Sequence, residues 1–516
     1  MLPAITTQTD RARYYSLYCW ILRHIHEQDQ PRSGDAFVKA FQRRDAAVAI
    51  ATLLGADGTH PVGVRAVEVR VARAKASGQI STDFAVLPSN RLGAFGQYYS
   101  GCLYELGLTQ RLEDGLDRLT PGMAEDLARV FQDAVSEAPY LRQKGFEEAT
   151  VPLNMLKRSS ERLGLDGLSR PFASQERRLL INLFFGLNVP TPSESTIRRR
   201  GSLARVLQTV SDYMQADIPV LEATLSDQLL FGPSYFGVLV DSRDRPKNFV
   251  SQAKLQRPTH FWRQFCLQQF LTQALEGVLQ AVIDAIAGHP GGATLDEVLD
   301  ELTDSRFAQY LHSAVGRRCA TPKALMAALQ IGRQPDEAAC VKLRSAYPYN
   351  NVLSEWFCHE DAGSPPELVA RSCVVLAILY GKWRGIQTDV SYLAVAQESG
   401  NELSSPNVLP LLDSWFDGAM DWRTALRIAC VLVIKQHDQV MYGKGRLESC
   451  WLRHEEGRYY REQDCTPYFR ESRHKQAVSI LADLGLLRWV GTKGKPSLVV
   501  SAEGRDVLRR SLSEGV

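Results

Sequence analysis

A mainly α, multi-domain fold with a winged helix-turn-helix module near each end is what this sequence predicts, and three observations carry the prediction. The chain of 516 residues exceeds the size at which a single core stays single, so several domains are expected. Apolar residues recur at three- and four-residue spacing through most of it, which is the signature of buried helix faces. Close to the C-terminus a periodic helix stops at a glycine and two strand-forming runs follow, and the same plan recurs near the N-terminus. Taking the Gly288-His289-Pro290-Gly291-Gly292 break as one boundary, the expected segments are 1–150, 151–288, 289–420 and 421–516.

In chain order, Thr9-Asp10 is read as an N-cap for a first helix with Ala12, Tyr15, Tyr18, Cys19 and Leu22 on its apolar stripe. Arg11, Arg13 and Tyr14 fall off that stripe, so they are candidates for gripping a partner or stacking on bases, against the plainer reading of a solvated face. A second helix is expected from Asp35 to Leu54. Tyr104-Glu105-Leu106-Gly107-Leu108 then parallels Ala482-Asp483-Leu484-Gly485-Leu486, and Leu119-Thr120-Pro121-Gly122 parallels the stretch from Val500 to Gly504. Helical patterns follow over Glu176–Phe185 and Ser202–Met214, with Arg198-Arg199-Arg200 read as a solvated helix start. An aromatic loop at 231–236, a short strand Val238–Val240 and a long amphipathic helix from Phe261 to Ile286 complete the central part. Beyond the glycine break, helices are expected at 294–315, 322–331, 366–384, 407–418 and 422–440.

The C-terminal module is the most distinct. Ala477, Ile480, Leu481 and Leu484 form one helix face, and Arg473, His474, Lys475 and Gln476 stand at the beginning of that helix. The two strands, 487–490 and 498–500, flank a turn-rich tip bearing Lys493 and Lys495. As a DNA reader the module would use Arg473, His474, Lys475 and Gln476 in the major groove, with Lys493 and Lys495 on phosphates. As a protein-docking module it would rely on Trp489 instead.

Charge and motifs narrow the classes. A formal net charge of +2 does not support nucleic-acid binding by the whole surface, while residues 441–516 carry fourteen Lys/Arg against ten Asp/Glu. No Walker-type phosphate loop, His-Glu-x-x-His helix, Gly-x-Ser-x-Gly elbow or paired Cys-x-x-Cys is present. Asp241, Asp244 and Lys247 lack the Glu-x-Lys strand of a magnesium nuclease. The expectation is a non-enzyme without a cofactor. Cys450, His454, Cys465 and His474 are ligand types gathered closely enough to be weighed as a zinc set, with Cys450 and His454 placed on one helix face. The scattered cysteines, among them Cys19, Cys266 and Cys373, read as reduced core residues. With neither a signal-peptide pattern nor a long apolar run, a soluble cytoplasmic protein is expected, with no membrane partner.

Modules of this kind near both ends of a helical chain resemble the kleisin class of accessory subunits, which bridge two SMC-type ATPase heads. The opening Thr9-Asp10-Arg11-Ala12-Arg13-Tyr14-Tyr15-Ser16 and the helix from Phe261 also resemble helical proteins of bacterial defence loci, including accessory subunits beside SMC-like ATPases such as those of Lamassu systems. The resemblance implies a scaffold subunit of a DNA-surveillance or antiphage complex, with an SMC-like ATPase or other defence-complex protein as partner and double-stranded DNA as a further contact. The alternatives are a winged-helix transcriptional regulator and an enzyme of another type.

Overall fold

The computed structural model describes residues 2–31, 33–55, 58–113, 116–220, 225, 229, 238–240, 246–248, 252–329, 363–384, 390–397, 405–443, 445, 450–465, 473–491 and 496–515. The aromatic loop at 231–236, Asp241, Asp244, Lys493 and Lys495 lie outside them. The fold is mainly α, with 68% helix and 7% strand. Every sheet among the described residues is an antiparallel pair of short strands. The chain divides into two compact units, Met1–Ser226 with Arg473–Val516, and Asp227–Ser472. This differs from four consecutive segments, because packing ignores the sequence breaks. Helix Gly34–Leu54 packs against Leu153–Leu163 across position 150, and Glu194–Gln215 packs against the last helix, Ala502–Glu514.

In the first unit, helix Arg13–His24 is buried on nearly every side and lies against Met123–Val135. It begins later than Thr9-Asp10 implied. The Thr9 hydroxyl accepts from the Thr6 amide at 2.7 Å, and Ala12 occupies the N-cap without a side-chain bond of its own. Helix Gly34–Leu54 starts where expected, capped by Ser33, whose hydroxyl accepts from Ala36 N at 3.2 Å.

The arginine run is not a solvated helix start. Helix Glu194–Gln215 is continuous and capped by Ser193, while Arg199 and Arg200 are buried. Arg199 Nε donates to Phe184 O at 2.9 Å, and Arg200 reaches Phe185 O at 2.6 Å and Gly186 O at 2.7 Å. These carbonyls end helix Ser174–Phe185 and have no partner within it, so the two guanidiniums satisfy a helix C-terminus in the core.

Two segments of this unit share one backbone plan. Helix Ser100–Glu105 precedes strands Thr109–Arg111 and Asp117–Leu119 and helix Met123–Val135; helix His474–Asp483 precedes strands Leu487–Val490 and Ser497–Val500 and helix Ala502–Glu514. Both leading helices end in a Schellman motif at a glycine with positive φ, Gly107 at 68° and Gly485 at 73°. Leu108 N donates to Leu103 O, and Leu486 N to Leu481 O, each at 2.9 Å. Thr120 N donates to Leu108 O, and Ser501 N to Leu486 O, each at 3.0 Å.

In the second unit, helix Gln256–Ala287 packs against Pro365–Arg384, Val390–Gln397 and Trp422–Gly443. It is more than a one-sided stripe: Leu267, Leu279 and Ile283 are buried as well as Leu271, Leu275, Val278, Val282 and Ile286, while Phe261 and Phe265 are only half-buried. By length and composition this helix, from Ala253 to Ala287, passes the test for a membrane span, with 72% of its apolar window buried inside the protein. The expected 294–315 helix is two, Leu295–Leu302 with a Thr294/Glu297 capping box and Ser305–Val315 capped by Asp304, because each cap starts a new helix.

Candidate partner interface

The first described residues, 2–12, form a strap that the two similar segments hold. Leu2, Ala4 and Ile5 are buried, and Tyr15 donates its hydroxyl to Ala4 O at 2.6 Å. From the C-terminal segment, Arg473 Nη1 donates to Ile5 O at 2.7 Å and Leu2 O at 3.3 Å, and Gln476 Nε2 to Thr7 O at 2.9 Å. Two of the strap's amides go to carboxylates. Ala4 N donates to Glu105 Oε2 at 2.7 Å, and Ala12 N to Asp483 Oδ2 at 3.0 Å. Glu105 and Asp483 occupy the same place in the two segments, two residues before the helix-ending glycine. Asp483 also supplies the acceptor that the first helix lacks at its start, since Ala12 is that helix's N-cap.

Arg11 Nε meets the same Asp483 oxygen at 3.0 Å. Burial pushes the Asp483 carboxyl up to about 6, with the nearby Asp10 charge adding to the rise and Arg11 and the Ala12 amide opposing it.

Arg13 and Tyr14 are core residues and present no stacking face. Arg13 has no exposure; it forks onto Glu176 at 3.2 Å through Nε and Nη2, while Nη1 donates to Arg162 O at 2.9 Å and also to Gly164 O. Ser16 completes the network by donating to Glu176 at 2.6 Å, so the buried charge pair is fully hydrogen-bonded. Tyr14 stacks on Tyr18 with ring centres 5.4 Å apart, and its hydroxyl accepts from Val62 N at 3.0 Å. Neither was legible from helical periodicity, because this helix is covered on its polar side too.

On the C-terminal segment His474 is buried and Lys475 exposed. The strand Leu487–Val490 turns Arg488, Trp489 and Val490 outward, Trp489 being 41% and Val490 45% exposed. Glu105, Asp483 and the strap were missed by sequence reading. The available signal was the acid standing before Leu-Gly-Leu in both copies of the motif.

The zinc set is not assembled. Leu452–Glu455 is a strand of a hairpin with Arg458–Arg461, so Cys450 and His454 share no helix face, and His454 stacks on Tyr459 with ring centres 4.7 Å apart. Burial pushes the Cys465 thiol up to about 12. His474 belongs to the other unit, and no group of three metal-ligating side chains gathers among the described residues. Cys19 and Cys373 are free buried thiols.

The chain matches no family model, no curated protein and no solved structure.

Proposed function

We propose that this chain is a non-catalytic scaffold subunit of a bacterial DNA-surveillance or antiphage complex, acting in the cytoplasm and bridging an SMC-like ATPase through winged-helix modules. The observation that supports a docking role over direct DNA reading is how the C-terminal segment spends its side chains. Arg473 and Gln476, which a groove-reading helix would aim at DNA, bind carbonyls of the chain's own strap. Trp489 and Val490 stay exposed on the wing strand, and a large aromatic beside an aliphatic is the composition of an interface hot spot. The test is co-purification from native cells of the whole chain and of Trp489→Ala. The expected outcome is an ATPase with SMC-type nucleotide motifs in the first and its loss from the second. Recovery of the same ATPase with both proteins would remove Trp489 from the interface, and recovery of no such ATPase would overturn the reading.

The second reading, a winged-helix DNA-binding regulator, draws on Lys475 and Arg488, both exposed on this segment. Nanomolar binding of duplex DNA by the whole chain at physiological salt, lost on Lys475→Glu with Arg488→Glu, would favour it over the scaffold.

A further inference from the structure

Helix Trp422–Gly443 of the second unit buries Ala425, Ala429, Val433 and His437 on one side and leaves another side uncovered. On the uncovered side Ile428, Val431, Lys435, Asp438 and Tyr442 follow one another at alternating three- and four-residue spacing, along about 21 Å of helix. Val431 is 49% and Tyr442 70% exposed, which is unusual for side chains of this kind in the middle of a helix stripe. Lys435 is exposed and Asp438 half-buried between them. The two charges do not pair within the helix. His437 Nε2 accepts from Trp451 N at 3.1 Å, which leaves Nδ1 to donate to Asp438 at 3.1 Å and hold that carboxylate in place.

We propose that this stripe packs against the same stripe of a second copy of the chain, the two helices running antiparallel. The order of the charges chooses this occupant. In a two-fold pair each residue meets a second one, which meets the first in return. With Lys435 and Asp438 at the centre, Lys435 of each copy faces Asp438 of the other. Val431 and Tyr442, each four residues further out, then face one another in the same way. A parallel pair would instead set lysine on lysine and aspartate on aspartate, which opposes association. An unrelated partner would have to supply the opposite charges in the reverse order, and a second copy turned end for end already does. The spacing agrees, since alternating three- and four-residue steps keep one seam of a helix against a neighbour. A groove of about 590 Å³ beside the stripe, bordered by Val431, Ile434 and Tyr459, gives the facing Tyr442 ring a seat next to Val431.

This face belongs to the second unit and Trp489 to the first, so the scaffold reading and this one can fail separately. The test is sedimentation equilibrium of the whole chain over roughly 1–100 µM, where a small interface should carry it from monomer to dimer. Lys435→Asp and, separately, Asp438→Lys each bring like charges together twice per dimer and should weaken it roughly tenfold or more. An equal mixture of these two variants should recover the dimer, because every facing pair is again of opposite sign. The chain carrying both substitutions should dimerise like the wild type for the same reason. Tyr442→Asp should weaken the dimer without disturbing the His437 bond, and thermal unfolding of the dilute variants shows independently that they are folded. A monomer throughout that range, a dimer indifferent to the charge reversals, or a mixture that stays monomeric would each overturn the proposal.

Discussion

The two similar segments of the first unit close their leading helices with the same bonds yet face opposite ways. In the N-terminal one, Phe95 and Tyr99 just ahead of the helix turn inward. Tyr99 lies 4.8 Å from Tyr14 and 5.5 Å from Tyr15, ring centre to ring centre, inside a tyrosine-rich core. Its hairpin has three-residue strands, with Arg111 paired to Asp117 at 3.1 Å. In the C-terminal one, the same stretch carries Arg473 and Gln476 for the strap, the strands run to four residues, and Arg488, Trp489 and Val490 project outward. The glycine stop and the closing helix fix the backbone plan, which leaves the remaining positions free to build core in one copy and surface in the other.

The largest effect should come from the shared core. Leu103 and Leu481 accept equivalent helix-ending bonds and are both fully buried, so Leu103→Ala and Leu481→Ala should each cost about 2–5 kcal/mol by denaturant unfolding. A cost below about 1 kcal/mol at either site would break the equivalence. A smaller effect concerns the strap. The folded Asp483 carboxyl titrates near 6 against an ordinary 3.8, so the folded chain holds more protons in that window and this group makes folding less favourable as pH rises from about 4 to 6. Asp483→Asn should flatten the slope of stability against pH there, whereas Arg11→Ala, which removes the opposing cation, should move the upper edge of the window above 6. An unchanged slope in Asp483→Asn would mean that this carboxyl does not titrate in the window. The smallest effect is on the two surfaces. Tyr104→Ala and Trp489→Ala should each shift stability by no more than about 0.5 kcal/mol, both side chains being exposed, and only the second should lose a docked partner. Equal loss of partner in both would erase the contrast between the segments.

Buried side chains of the core show the same pH logic on a larger scale. Burial pushes Asp45, which accepts from the Tyr18 hydroxyl at 3.4 Å, up to about 7. Its ionisation therefore opposes folding increasingly from about pH 4 to 7, and Asp45→Asn should raise the melting temperature at pH 8 but not at pH 4. A lower melting temperature at pH 8 would show that the charged form is the one the core accommodates.

Periodicity and glycine punctuation made most helices legible, including Gly34–Leu54 and Trp422–Gly443, as well as the repeated Leu-Gly-Leu stop. Side-chain destinations were not legible wherever the partner lies far along the chain. Arg199 and Arg200 read as a charge run because their acceptors belong to a preceding helix end. Arg13 read as surface because Glu176 stands 163 residues away. The hairpin 452–461 was hidden because its residues, Arg453, His454, Glu455, Arg458 and Tyr459, carry no apolar alternation. At the proposed interface the lysines and the tryptophan could be named from the sequence. The strap that occupies Arg473 could not, because its bonds are to backbone carbonyls, which any sequence would offer.

The bond from Arg11 to Asp483 spans 472 positions, and the whole second unit is encoded between its ends. At a synthesis rate of about 5–20 residues per second, the first helix emerges from the ribosome roughly 25–95 s before the carboxylate that accepts the Ala12 amide. Residues 227–472 can complete their own core in that interval. The first unit cannot fasten its strap in that time, because the strap's carbonyls and the Ala12 amide await Arg473, Gln476 and Asp483, although the tyrosine-rich helix already has Phe41, Tyr99 and Phe184 beside it. The opening strap is therefore among the last pieces of the first unit to be fastened.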